Sequence, residues 1–204
     1  MKKIFLAVPT SNFVESETVK AIYNLSIPEG YEATLEIVQG YAVHQARNIL
    51  ANAALQGNYD YVFWIDADII LPKDILKCLI EDDKDIICGY YIKKVENQRI
   101  CELFGPNPQD PEKKMISNVL ENDLPKTVGI YGVEACGFGC TLIKTDVFKK
   151  FAEKYPEDQY FDYVFKKNEM CSEDILFCKK CKEIGIQTFV DTRFRCGHIG
   201  KKVF

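Results

Sequence analysis

The run Tyr61-Val62-Phe63-Trp64-Ile65 limits this chain more than any other stretch. Consecutive aromatic and β-branched residues offer no polar face to water, the pattern of a strand covered on both sides inside an α/β sheet. The run stops at Asp66-Ala67-Asp68, two carboxylates separated by one small residue. Open parallel sheets bind ligands beyond the carboxyl ends of their strands, so the acids fall where a ligand is expected. Neighbouring carboxylates repel each other and are costly to desolvate unless a cation or hydrogen-bond donors compensate. Mg2+ and Mn2+ favour oxygen ligands and commonly bridge a protein carboxylate to substrate phosphates, which makes a hard divalent ion the natural compensation.

A length of 204 residues is enough for one sizeable core and predicts a single domain, residues 1–204, standing alone or as one domain of a longer enzyme. The net charge of -4 argues against general affinity for nucleic acid or anionic membrane. No apolar run approaches the roughly 20 residues that span a bilayer. Met1-Lys2-Lys3 and the apolar Ile4 to Val8 meet Pro9 too soon for a leader and read as a first strand. The 9 cysteines, an odd number without framework spacing, predict reduced thiols and a cytoplasmic protein.

Further along, Ser16 to Tyr23 suggests a short helix, and Tyr31 to Gln39 alternates as a second strand with Leu35 and Ile37 facing the core. Val43, Ala46, Ile49, Leu50, Ala53 and Ala54 follow helical spacing, and Gly57-Asn58 ends that helix. Pro72 suits the first turn of a helix continuing to Glu81, and Ile86 to Ile92 and Ile100 to Phe104 read as strands. Gly105 to Lys126, with Pro106, Pro108, Pro111 and Pro125, reads as a loop or excursion. Val128 to Val133 and Cys140 to Lys144 return to strand character. Thr145 is expected to cap a helix to about Lys154, and Ser172 another beginning at Glu173-Asp174. Gln187 to Asp191 is the last strand, followed by a basic tail from Thr192 to Phe204 with Arg193, Arg195, Lys201 and Lys202. The aromatic-rich stretch Tyr155 to Met170 either pins a loop to the core or offers a sugar-stacking platform.

A buried strand running into Asp-X-Asp, then apolar residues and Pro72, resembles the metal-binding signature of GT-A-fold nucleotide-sugar glycosyltransferases, close to the family 2 style. The likeness continues in order through the loop after the first strand, the Glu134-Ala135-Cys136-Gly137-Phe138-Gly139 segment, Glu173-Asp174 and the late His198. It implies a single Rossmann-like α/β domain with a mainly parallel central sheet flanked by helices. It also implies transfer of a sugar from a nucleotide diphosphate donor, a UDP-sugar foremost, to a glycan or other hydroxyl acceptor with Mn2+ or Mg2+. By that resemblance Pro9, Thr10 and Ser11 cradle base and ribose, and Arg47, Asp66 and Ala67 approach the nucleotide. Gly137 and Gly139 line the donor sugar and acceptor. Asp68 and His198 hold the metal, with Asp66 on ribose or on metal through water. Asp174 is the general base of an inverting transfer, and Glu173 supports it or binds acceptor.

Other readings stand beside these roles. Pro9 to Asn12 also makes an ordinary turn and cap, Arg47 a surface salt bridge, Gly137 and Gly139 a bulge, and both acids at 173 and 174 suit a helix N-terminus. Two functional alternatives remain. One is a haloacid dehalogenase-like phosphatase, although Ile70 and the internal strand depart from that pattern. The other is a zinc-stapled binding module on Cys178-Lys-Lys-Cys181 with Cys171, Cys196 or His198.

Overall fold

The computed structural model describes residues 1–95, 97–110, 116–166 and 169–200. Pro111, Lys201 and Lys202, named above, lie outside the described residues. In chain order, β1 (Lys2–Thr10), α1 (Ser16–Tyr23), β2 (Tyr31–Gln39) and α2 (Val43–Gln56) come first. Then follow β3 (Tyr61–Ile65), β4 (Ile69–Ile70), α3 (Ile75–Glu81), β5 (Ile86–Tyr90), β6 (Ile100–Pro106) and β7 (Ile116–Leu120). The remainder is β8 (Ile130–Val133), β9 (Ala135–Cys136), β10 (Cys140–Lys144), α4 (Thr145–Lys154), β11 (Val164–Lys166), β12 (Glu169–Cys171), α5 (Glu173–Glu183), β13 (Thr188–Arg195) and β14 (Gly197–His198).

A seven-stranded sheet in the order β2-β1-β3-β10-β5-β13-β8 carries the fold. β1, β2, β3, β5 and β13 run the same way, while β10 and β8 are antiparallel to their neighbours. The sheet is therefore mainly parallel, as the resemblance implied. β3 sits next to the centre and alternates its side chains between two cores. Val62 and Trp64 join Leu50, Ala54, Phe148 and Phe177 from α2, α4 and α5. Tyr61, Phe63 and Ile65 join Ile22, Ile75, Leu76 and Leu79 from α1 and α3. Helices on both faces explain why this strand has no polar side. Trp64 is fully buried, so Trp64→Ala would cost about 3–5 kcal/mol.

Four expectations are corrected. Leu35 and Ile37 do not face the core: both are 42% exposed, because β2 is an edge strand and pairs only with β1. Thr145 does not cap α4; its buried hydroxyl donates to the carbonyls of Tyr59 at 2.7 Å and Asp60 at 3.1 Å, tying the start of α4 to the entry of β3. The stretch from Thr192 is not simply a tail. Thr192 to Arg195 extend β13, and Gly197 and His198 pair with Ile70 and Ile69 of β4. The proline-rich stretch is also less of an excursion than expected, since β7 pairs with β6.

This topology brings one set of strand ends together. The carboxyl ends of β1, β3, β5 and β13 finish on the same side of the sheet. The antiparallel β10 starts there, after Gly137 and Gly139.

Candidate active site

A cleft of about 950 Å3 opens at that side. Pro9, Thr10 and Ser11 reach it from the end of β1, Asp66, Ala67 and Asp68 from β3, and Arg47 from the second turn of α2. Glu173 and Asp174 reach it from the start of α5, and His198 from β14. The fold thus gathers most of the residues that the sequence singled out, from positions up to 189 apart in number.

Arg47 is the internal tie. It is only 2% exposed, with Nη2 donating to Asp66 Oδ1 at 2.9 Å and Nε to Glu173 Oε1 at 3.2 Å. Its guanidinium carbon lies 5.4 Å from the Trp64 ring centroid and 5.5 Å from that of Phe138. It is no surface salt bridge. Burial would strip its proton, but the Asp66 and Glu173 carboxylates outweigh this and raise its pKa. Asp66 itself is pushed up, by burial first and with Arg47 opposing. Arg47 Nη1 is buried without a hydrogen-bond partner among the described residues, which leaves one donor unspent at the cleft wall.

Asp68 is held differently. Burial raises its pKa, but hydrogen bonds from His198 and Lys94 prevail and bring it down to about 2. Its Oδ1 is 3.6 Å from His198 Nε2, and Oδ2 pairs with Lys94 Nζ. His198 Nδ1 lies 2.8 Å from the carbonyl oxygen of Ile92. A carbonyl only accepts, so Nδ1 carries a hydrogen, which leaves Nε2, the nitrogen on the Asp68 side, as the one whose lone pair a metal would use. A backbone acceptor behind a ligand imidazole is the arrangement that fixes a metal-binding tautomer.

The donor set suits a divalent ion. Among the described residues no group of three His, Cys, Asp and Glu side chains is placed to hold a metal. One carboxylate and one imidazole nevertheless match the sparse protein ligation of ions that keep waters and take substrate phosphates. The cleft is lined by six carboxylates (Glu15, Asp66, Asp68, Glu102, Glu173 and Asp174) against the cations Arg47, Lys93 and Lys94. An anionic ligand would meet an excess of negative charge there, which a cation between Asp68 and His198 would offset.

Asp174 stands at the mouth of α5. The Ser172 hydroxyl does not cap the helix backbone; it donates to Asp174 Oδ1 at 2.5 Å, which also accepts from the Ile175 amide at 2.8 Å. Burial and the adjacent Glu173 carboxylate push Asp174 up to about 6. Across the same corner, burial and Glu173 push the Tyr163 hydroxyl up to about 12.

Gly137 and Gly139 do not line this cleft. A Cβ on either would strike the Tyr91 hydroxyl, at 2.5 Å and 2.7 Å. Both glycines make room for Tyr91, whose oxygen accepts from the Gly139 amide at 3.0 Å. Asn48, beside Arg47, faces the other way and clamps the loop at Phe161 through both backbone groups. Phe161 is fully buried against Trp64, so that aromatic pins its loop, whereas Phe165 and Met170 remain 75% and 78% exposed at the cleft. Tyr91, Lys93, Lys94 and Glu102 escaped the sequence reading. Tyr91, Lys93 and Lys94 lie just beyond β5 and Glu102 lies within β6, and strand periodicity alone does not show that they face a cleft. Cys178 and Cys181 are buried in the core as free thiols.

Comparison with known proteins follows the same line. A profile of the Anp1 family, a GT-A-like glycosyltransferase family, matches residues 38–107. No curated protein sequence matches the chain. A197 from STIV superposes with a TM-score of 0.60 at 18% identity, covering 98% of this chain and 87% of that one. The chain has the GT-A fold. GalNAc-T7, solved with UDP, GalNAc and Mn2+, also superposes with a TM-score of 0.60, at 15% identity and over 98% of this chain. Only 44% of the GalNAc-T7 chain is covered, so this chain spans less than half of it. Within the GT-A fold, Asp66-Ala67-Asp68 occupies the turn after β3. No helix among the described residues is long and apolar enough to cross a membrane.

Proposed function

We propose that this chain transfers a sugar from a nucleotide diphosphate donor, with UDP as the first base to test, to a hydroxyl acceptor by a metal-assisted, inverting displacement. The observation that carries the reading is the shared cleft: Asp68 and His198 line it together with Asp174, whose pKa of about 6 suits a base. The Pro9 to Ser11 loop would take the base and ribose. Phe13 and Tyr41, both exposed on the cleft wall, flank that loop's end of it.

Asp68 and His198 would hold the divalent ion, which supplies Lewis-acid neutralisation of charge on the departing diphosphate. Asp174 would accept the acceptor's proton at Oδ2, since Oδ1 already receives Ser172 and Ile175. A carboxylate with a pKa near 6 is ionised at neutral pH yet more basic than an ordinary aspartate, which is what a general base needs. Arg47 would set the orientation of Asp66 and Glu173, and its unspent Nη1 is a donor for donor-substrate oxygen.

A phosphatase would use the first Asp as a nucleophile, and Asp66 is instead engaged by a buried arginine. The test is a thermal-shift panel of nucleoside diphosphates with and without Mn2+, on wild type and Asp68→Asn. A ligand at 100 times its dissociation constant adds about 2.7 kcal/mol. A Mn2+-dependent shift with one nucleotide, absent in the variant, supports the reading; no shift with any nucleotide overturns it.

A further inference from the structure

Both oxygens of Asp68 are engaged by side chains of opposite kinds. Oδ1 faces an imidazole whose other nitrogen is fixed to the backbone, while Oδ2 faces the ammonium of Lys94. The backbone around Lys94 is anchored. The Lys93 amide donates to the Ile100 carbonyl at 2.8 Å, and Ile92 bridges Cys101. The Lys94 side chain is not: it is 38% exposed and lines both the main cleft and a second hollow of about 940 Å3 behind His198. Its head can swing while its Cα stays in place.

An ammonium on Oδ2 and a divalent ion on Oδ1 of one carboxylate repel each other, so each weakens the hold of the other on Asp68. His198 cannot take up the surplus positive charge. A diphosphate can, and it would lie in the cleft that Lys94 already lines. We infer that Lys94 is an exchangeable counter-cation: it occupies Asp68 in the free protein, competes there with the divalent ion, and moves to the diphosphate when ion and nucleotide are bound together. The inference rests on the metal-assisted reading above and assigns a positioning residue that the reading lacks.

The exchange couples two binding events. Bound alone, the ion loses affinity because it binds against the charge of the Lys94–Asp68 pair. With a diphosphate present, Lys94 finds a new partner and that loss is recovered. Each ligand therefore strengthens the other, and removal of the lysine must weaken the coupling in both directions.

The test uses Mn2+ alone and then inorganic pyrophosphate, so that no base has to be known. Free Mn2+ is followed by electron paramagnetic resonance with wild type, Lys94→Met and Lys94→Arg. Pyrophosphate is then titrated calorimetrically in excess Mn2+, with the protein-free titration subtracted. Lys94→Met is expected to bind Mn2+ alone at least about five-fold more tightly and pyrophosphate with Mn2+ at least about five-fold more weakly, the low end of ordinary coupling between sites. Lys94→Arg keeps the charge and should resemble wild type in both. Equal or weaker Mn2+ binding by a folded Lys94→Met, or unchanged pyrophosphate affinity, overturns the role of Lys94 alone. Absence of Mn2+ binding by wild type and both variants overturns the metal reading and this inference with it.

Discussion

Arg47 and Asp66 meet at 2.9 Å beneath the cleft floor, with the arginine side chain 3% exposed and the aspartate at 31%. The pair joins the helix before β3 to the turn after it, and the same guanidinium continues to Glu173 at the head of α5. A buried charge with two partners is costly to leave half made. Arg47→Ala strands Asp66 and Glu173 and should lower stability by about 3–5 kcal/mol, read as a lower urea midpoint. Arg47→Lys retains charge but cannot reach both carboxylates with a fork, and should fall between the two. A stability loss under 1 kcal/mol for the alanine variant would contradict the tie described here.

Asp174 gives a pH dependence with a definite sign. Its carboxyl is pushed up to about 6 by burial first and by Glu173 second. In the proposed mechanism the ionised form is the base, so transfer should fall as pH drops through about 6 and level off above it. Glu173→Gln removes the neighbouring negative charge, which moves that acid limb to lower pH. Asp174→Asn should abolish transfer and leave nucleotide binding intact. A profile that is flat from pH 5 to 8 would remove Asp174 from the mechanism.

Gly139 tests the packing behind the acids. A methyl group there would meet Tyr91 at 2.7 Å and Asp66 Oδ2 at 3.0 Å. Gly139→Ala should therefore destabilise by about 1–3 kcal/mol, the usual cost of overfilling a tight core. Tyr91→Phe in the same background leaves the clash with the ring and should recover only part of the loss. Calorimetric melting of wild type, Gly139→Ala, Tyr91→Phe and the double variant decides it.

His198→Ala separates ligation from folding. The pairing of β14 with β4 is made by the backbone and survives the change, so stability without ligand should fall by no more than about 1 kcal/mol. The Mn2+-dependent rise in melting temperature should disappear. Retention of the full rise would take His198 out of the donor set.

The sequence made the buried strand legible because its five side chains are packed on both faces, and the strand forms over Tyr61–Ile65 as expected. β2 was legible as a strand but not in its orientation. Alternation tells which residues share a face, whereas sheet order tells whether a face is covered, and sheet order is a long-range property. The gathered acids, Arg47 and His198 were found through a resemblance in motif order. Lys94 and Tyr91 could not be. Lys94 matters because a loop turns it back onto Asp68, and Tyr91 because two glycines almost fifty residues later leave it space. Neither relation leaves a local signature. Thr145 failed for a related reason: a hydroxyl at a helix start has several acceptors within reach, and here two carbonyls at the entry of β3 took it.

The pairing of β14 with β4 has a temporal side. Asp68 and Ile199 are joined through the backbone, the Ile199 amide donating to the Asp68 carbonyl at 2.9 Å. A ribosome delivers the chain from its N terminus at about 5–20 residues per second. Asp66 and Asp68 emerge early, yet β4 has no strand to pair with, and Asp68 no imidazole opposite it, until Gly197 and His198 follow. A nascent chain can thus lay down β1, β2 and β3 and pack α2 on them without possessing a finished ion site. On the metal-assisted reading, a chain stalled before Gly197 and His198 lacks half of the proposed pair of ion ligands, whatever else of the sheet it has formed.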